Sequence, residues 1–144
     1  MRLNMKSAAR ILAIGLVSSL IFISACSQDY SKNFKTPNEA PKGSYDIARY
    51  EKGVFTGIGW SADKEDGAPL KKVIVYVDGK AAGEAKFIID RPDVADAFKD
   101  SRWLKSGWTL SESILLSKGP HTSLAISYDK NEALTVSQKD FTVE

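Results

Sequence analysis

A single cysteine, Cys26, and a single histidine, His121, are all the thiol and imidazole chemistry that this sequence of 144 residues holds. One thiol cannot close a disulfide within the chain, and no Cys/His cluster with zinc-ligand spacing is present. A catalytic histidine needs an activating or activated partner, and a histidine metal site usually needs several ligands. His121 follows Gly119-Pro120 at the start of a strand pattern, where its ring is placed to bond a nearby backbone group. A Gly-rich phosphate loop and a Gly-x-Ser-x-Gly elbow are both missing. These gaps argue against an enzyme, and neither a cofactor nor a metal is expected.

Acidic residues are absent before Asp29, whereas Arg2, Lys6 and Arg10 fall in that stretch. The whole chain carries +2, from 20 basic and 18 acidic residues; setting those three aside leaves 17 against 18, or −1. The basic balance therefore belongs to the N-terminus. No basic stripe marks the rest as a nucleic-acid surface.

Residues 1–25 read as a secretory signal, with Arg2, Lys6 and Arg10 as its positive region and "ILAIGLVSSLIFI" as its apolar region. The uncharged run Ile11–Gln28 approaches the ~20 residues of a bilayer span but is diluted by Ser18, Ser19 and Ser24. A retained signal anchor is the alternative. Against it stands "ISAC": Ile23, Ser24, Ala25 and Cys26 resemble the lipobox of bacterial lipoproteins. That resemblance implies a diacylglycerol on the Cys26 thiol, cleavage between Ala25 and Cys26, and acylation of the new amino group. It also implies the outer membrane rather than the inner, because Ser27, not Asp, follows the cysteine. A thioether to lipid removes the liability of a lone thiol in an oxidising compartment. At ~0.8 kcal/mol per buried methylene, two or three acyl chains anchor a protein durably.

Residues 26–43 then form a polar stretch carrying Pro37 and Pro41, without helical or strand period. They read as a flexible tether, in which Tyr30 and Phe34 are the large apolar groups.

From Ser44 to Glu144 the patterns are those of strands and tight turns. "VFTGIGWSA" alternates Val54, Thr56, Ile58 and Trp60 against Phe55, Gly57, Gly59 and Ser61. In "KKVIVYVDGK" Val73, Val75 and Val77 share a face, and Asp78-Gly79 supplies a type I′ hairpin turn. "HTSLAISYD" alternates Thr122, Leu124, Ile126 and Tyr128 against His121, Ser123, Ala125, Ser127 and Asp129. With "GWTLSESI" and "LTVSQKDFTVE" this makes about seven short strands, the pattern of an all-β, Ig-like antiparallel sandwich. "PDVADAF" is the one helical turn, with Pro92 at its start. The segments "GIGWSAD", "VIVYVDGK", "RPDVADAF", "SGWTL" and "GPHTSLAISYD" resemble, in order and spacing, an Ig-like bacterial β-sandwich module found as an accessory part of envelope proteins. The chain departs from it at "KDSRWLKSG", which inserts Trp103. Such sandwiches host unrelated roles, so the resemblance implies a fold more than a function.

Three clusters compete as sites. Asp90, Asp93, Asp96 and Asp100 have carboxylates for calcium, but Arg91, Lys99 and Arg102 interleave them and no calcium-loop motif is present. Asp93 is expected to cap the helical turn, with Arg91 as its partner. Trp60, Trp103 and Trp108 are a possible sugar platform, although Trp60 and Trp108 fall in phase with strand positions expected to pack in the core. Trp103, between Arg102 and Lys105 in the loop 91–107, is expected to be exposed as the anchor of a partner-binding element that includes Arg91; the alternative is that it folds inward as a plug. The expected function is a lipid-anchored adaptor that recruits an envelope protein. A carbohydrate- or peptidoglycan-binding lipoprotein is the alternative.

Overall fold

The structure, a computed structural model, describes residues 38–144. The leader, the lipobox with Ala25 and Cys26, and the tether as far as residue 37 lie outside the described residues.

Eight strands and one helix follow in order: β1 (Lys42–Glu51), β2 (Val54–Ala62), β3 (Lys72–Val77), β4 (Lys80–Glu84), β5 (Lys86–Ile89), α1 (Pro92–Phe98), β6 (Gly107–Ser113), β7 (Gly119–Tyr128) and β8 (Leu134–Val143). A 3₁₀ segment, Ser101–Ser106, joins α1 to β6. The first strand begins at Lys42, slightly ahead of the domain start expected at Ser44. Two antiparallel sheets form, ordered β1-β2-β6-β5 and β4-β3-β7-β8. In Ig notation these are A-B-E-D and C-F-G with a C′ strand added at the edge. The chain is an Ig-like β-sandwich. Among the described residues no helix is long and apolar enough to cross a membrane.

Turn chemistry places two of the hairpins. Asp78 and Gly79 have φ of 48° and 78°, the pair of positive angles a type I′ turn requires. Lys52 and Gly53 repeat this between β1 and β2, with φ of 49° and 82°.

Two departures from the sequence pattern have local causes. The return strand after Asp78-Gly79 is not continuous. β4 pairs with β3 in one sheet, β5 pairs with β6 in the other, and buried Ala85 is the crossing point. A register shift in β4 leaves Ala82 unpaired three residues before the crossing. Gly83 lets it pass close to Leu110, whose Cδ1 would lie 3.1 Å from a Cβ at that position. The second departure is a register shift between Tyr45 and Ile47 in β1, which breaks the period of two.

The core lies between the sheets. Phe55, Val73 and Val75 are fully buried, and Trp108 is 1% exposed, as expected of a core residue. Tyr45 meets Trp108 edge-on at 5.1 Å and Phe55 meets Phe141 at 5.4 Å. What is unusual is which face of β2 and β7 points inward. In β2 the inner face carries Phe55, Gly57, Gly59 and Ser61; in β7 it carries His121, Ser123, Ala125 and Ser127. The small residues make room for the rings of β1 and β6. A Cβ at Gly57 would stand 2.6 Å from the Tyr45 hydroxyl, and one at Gly59 2.4 Å from the Trp108 ring. Apart from Phe55 and His121, the bulky members of both strands therefore lie outside.

Candidate functional site

The loop 91–107 is built as a rigid cover. Pro92 at the first helical position of α1 places Arg91 at the N-cap. No side chain caps the helix, which corrects the role expected of Asp93. Arg91 instead holds Asp93 through Nε (2.9 Å) and Nη2 (2.7 Å), and reaches Asp46 at the β1 irregularity through Nη1 (2.7 Å). The guanidinium lowers the Asp93 carboxyl to about 2 and raises its own pKa. Arg102 pairs with Asp100 and donates to the carbonyls of Lys64 (2.9 Å) and Glu65 (3.1 Å). Lys105 pairs with Asp90 at 2.6 Å. Three of the four carboxylates weighed for calcium thus face cations of the same loop. Among the described residues no group of His, Cys, Asp or Glu is arranged to hold a metal.

Trp103 is 3% exposed, which corrects the expectation of an exposed anchor. Its ring lies 4.4 Å from Phe98 and 6.2 Å from Trp60, over Ala62 with Val94 and Ala95. This is a second, smaller core on the outer side of the β1-β2-β6-β5 sheet, beside the last residues of β2. Its physical reason is Trp60: standing outward on β2, it needs apolar cover, and α1 with the 3₁₀ segment provides it. Trp60 is therefore packed in this outer cluster rather than between the sheets. With Trp108 in the main core, the tryptophans form no flat platform for a sugar.

His121 is nearly buried, with its Nδ1 2.6 Å from Asp78 Oδ2 and its Nε2 2.8 Å from the Ser117 carbonyl. The carbonyl contact matches the structural role expected of it. Asp78 also accepts from the Thr122 backbone N–H (3.0 Å), so the pair ties the hairpin turn to β7. Both ring nitrogens face acceptors, which favours the doubly protonated ring. Hydrogen bonding to Asp78, with Ser117 second, raises the His121 pKa, and the same bond leads the lowering of Asp78.

The feature that sequence reasoning did not single out is the outer face of the β4-β3-β7-β8 sheet. Its side chains form rows across the ladder. Ile74 stands opposite Ile126, which stands opposite Val136; Tyr76 is opposite Leu124; Tyr128 is opposite Leu134. Leu134 and Val136 are 45% and 52% exposed, and the others are half-buried by one another. The charged residues pointing this way lie at the margins. Lys72 covers the Tyr128 ring at 4.9 Å, Glu84 flanks Ile74 from the edge strand β4, and Asp140 lies beyond Leu124, beside Thr122. The large apolar side chains come from β3, β7 and β8, and three strands ~4.8 Å apart with roughly five residues at ~3.3 Å each give a face of about 240 Å². That is a contiguous apolar patch a little below the ~300–600 Å² of the largest one on a typical monomer. The signal was in the alternation of "HTSLAISYD", but alternation assigns two faces without saying which one is inside.

No protein-family model matches the chain, and no curated protein matches it. Among solved structures it is similar to the fibronectin(III)-like modules of CbhA from Clostridium thermocellum. The identity is 13% and the TM-score 0.43, over 72% of this chain and 96% of that one. The fold assignment rests on the strand order described above, not on this likeness.

Proposed function

We propose that this protein is an envelope lipoprotein, anchored through Cys26, whose β-sandwich is a binding module without catalytic activity of its own. The observation that carries the binding role is the apolar outer face of β4-β3-β7-β8. It joins an uncharged centre to a polar margin, the composition of a protein-docking surface. The loop 91–107, with Arg91, Arg102 and Lys105 in internal contacts and Trp103 buried, is assigned to stability instead. The anchor is supported by the leader and by Ile23-Ser24-Ala25-Cys26, and Ser27 after the cysteine favours the outer membrane. Metabolic labelling with a clickable fatty acid tests the anchor. The wild-type chain should incorporate the label and lose its first 25 residues, and Cys26→Ala should do neither. Equal labelling of the variant would remove the anchor from this reading.

A further inference from the structure

We infer that β6 carries a strand-addition site, a slot in the β1-β2-β6-β5 sheet that takes an extended, basic segment of a partner protein. The site lies apart from the apolar face of the other sheet and does not rest on it.

The slot follows from the change of sheet at Ala85. β5 pairs with β6 over one end only, from Lys86–Thr109 to Ile89–Gly107, whereas β2 accompanies β6 as far as Ser113. Residues 110–113 therefore have a strand on one side and none on the other. The chain that precedes β5 has already joined β3 as β4. The ladder fixes which backbone groups this leaves open. The Ile114 N–H donates to the Gly53 carbonyl at 3.3 Å, so Glu112 and Leu110, at the same parity, also bond toward β2. Ser111 and Ser113 turn their N–H and C=O groups the other way, and both residues are exposed. These are the groups an added strand engages.

The walls of the slot give the chemistry of its occupant. A groove of about 310 Å³ runs along it, with Thr109 and Ile88 at one end and Ser111 and Glu112 at the other. Glu112 lies along β4, its Cγ 3.5 Å from a Cβ placed on Gly83, and Glu84 lines the same groove. Among the described residues neither carboxylate is in an ion pair. A Lys or Arg opposite Glu112 on an antiparallel strand completes a cross-strand charge pair.

The test is amide hydrogen exchange, followed by NMR on the full chain in detergent. In the free protein Ser111 and Ser113 should exchange fast, and Leu110 and Glu112 slowly. The probe is a capped peptide, Thr-Val-Thr-Lys-Thr-Val-Thr, whose Lys can stand opposite Glu112 with Thr opposite Ser111 and Ser113. It should slow exchange at Ser111 and Ser113 by about tenfold or more. The same peptide N-methylated on its Thr residues should slow neither, and one with Glu in place of Lys should act more weakly. Ser111→Pro removes only an N–H that points away from β2. In that variant Leu110 and Glu112 should stay slow, while protection of Ser113 by the peptide weakens. Slow exchange at Ser111 and Ser113 in the free chain would overturn the open slot. No slowing by the peptide, slowing confined to β4 or β5, or equal slowing by the N-methylated peptide would overturn strand addition. Equal action of the Glu peptide would overturn the basic partner. None of these outcomes bears on the apolar face of the other sheet.

Discussion

The hydroxyl of Tyr45 lies 2.7 Å from Oγ of Ser123, joining the edge strand β1 of one sheet to a central strand of the other through the core. Burial raises the Tyr45 pKa to about 12, and the bond to Ser123 offsets part of that rise. The contact exists because β2 and β7 present small inward residues, so that a tyrosine can span the gap between the sheets.

Removing the hydroxyl and removing the space should differ in effect. Tyr45→Phe should cost about 1 kcal/mol, the net value of one hydrogen bond, because Ser123 keeps its second bond to the Tyr76 carbonyl. Gly59→Ala should cost about 3 kcal/mol or more. Its Cβ would stand 2.3 Å from the Ser44 carbonyl oxygen, and backbone cannot step aside as a side chain can. Urea unfolding curves of the two variants measure both.

The inversion of β7 gives a sharper contrast between adjacent residues. Ala125→Asp should abolish folding, since Ala125 is 1% exposed and a lone charge there has no partner. Ile126→Asp, one residue on, should leave a folded domain with a β-type circular dichroism spectrum. If Ile126→Asp unfolds the protein and Ala125→Asp does not, the two faces have been exchanged.

For Trp103 the expected cost of Trp103→Ala is ~3–5 kcal/mol, with a fall in melting temperature well beyond ten degrees. Phe98 and Trp60 would lose the ring that covers them. Trp103→Phe should recover much of the loss, which calorimetry of the two variants compares.

The His121–Asp78 pair predicts the pH dependence. His121 is raised above 6.5, so its contribution is complete below 6.5 and disappears as pH climbs through the raised value. Asp78 is lowered below 3.8, so its contribution is complete above 3.8 and disappears as pH falls through the lowered value. The pair should therefore stabilise most between those limits. In His121→Gln the alkaline fall in melting temperature between pH 6 and 9 should be smaller than in the wild type.

The fold was legible where turn chemistry and strand period agree: the Asp78-Gly79 hairpin, the inward Val73, Val75 and Val77, and the helical turn of α1 all stand as the pattern indicates. Legibility failed where the chain departs from its own period. Around Asp46 an irregularity hides β1, and at Ala85 a change of sheet cuts one apparent strand into two. It failed again where a residue's surroundings come from elsewhere in the sequence. Nothing near Trp103 announces that Trp60, 43 positions earlier, stands outward and must be covered. Nothing in "HTSLAISYD" announces that Tyr45 and Trp108 already fill the space its leucine and isoleucine would need. Both are long-range volume constraints, and periodicity carries no record of volume.

The long ladder between β1 and β2 has a mechanical consequence. β1 is the first strand after the segment proposed to bear the lipid, and it is held to β2 through nine residue pairs, from Lys42–Ala62 to Glu51–Val54. A pull from the N-terminus along the strand axis loads those hydrogen bonds side by side, in shear, instead of opening them one after another. The same strand pulled sideways would unzip from its end. Whatever tugs on the domain while its base stays fixed in a membrane therefore meets its stiffest response when the force runs along β1.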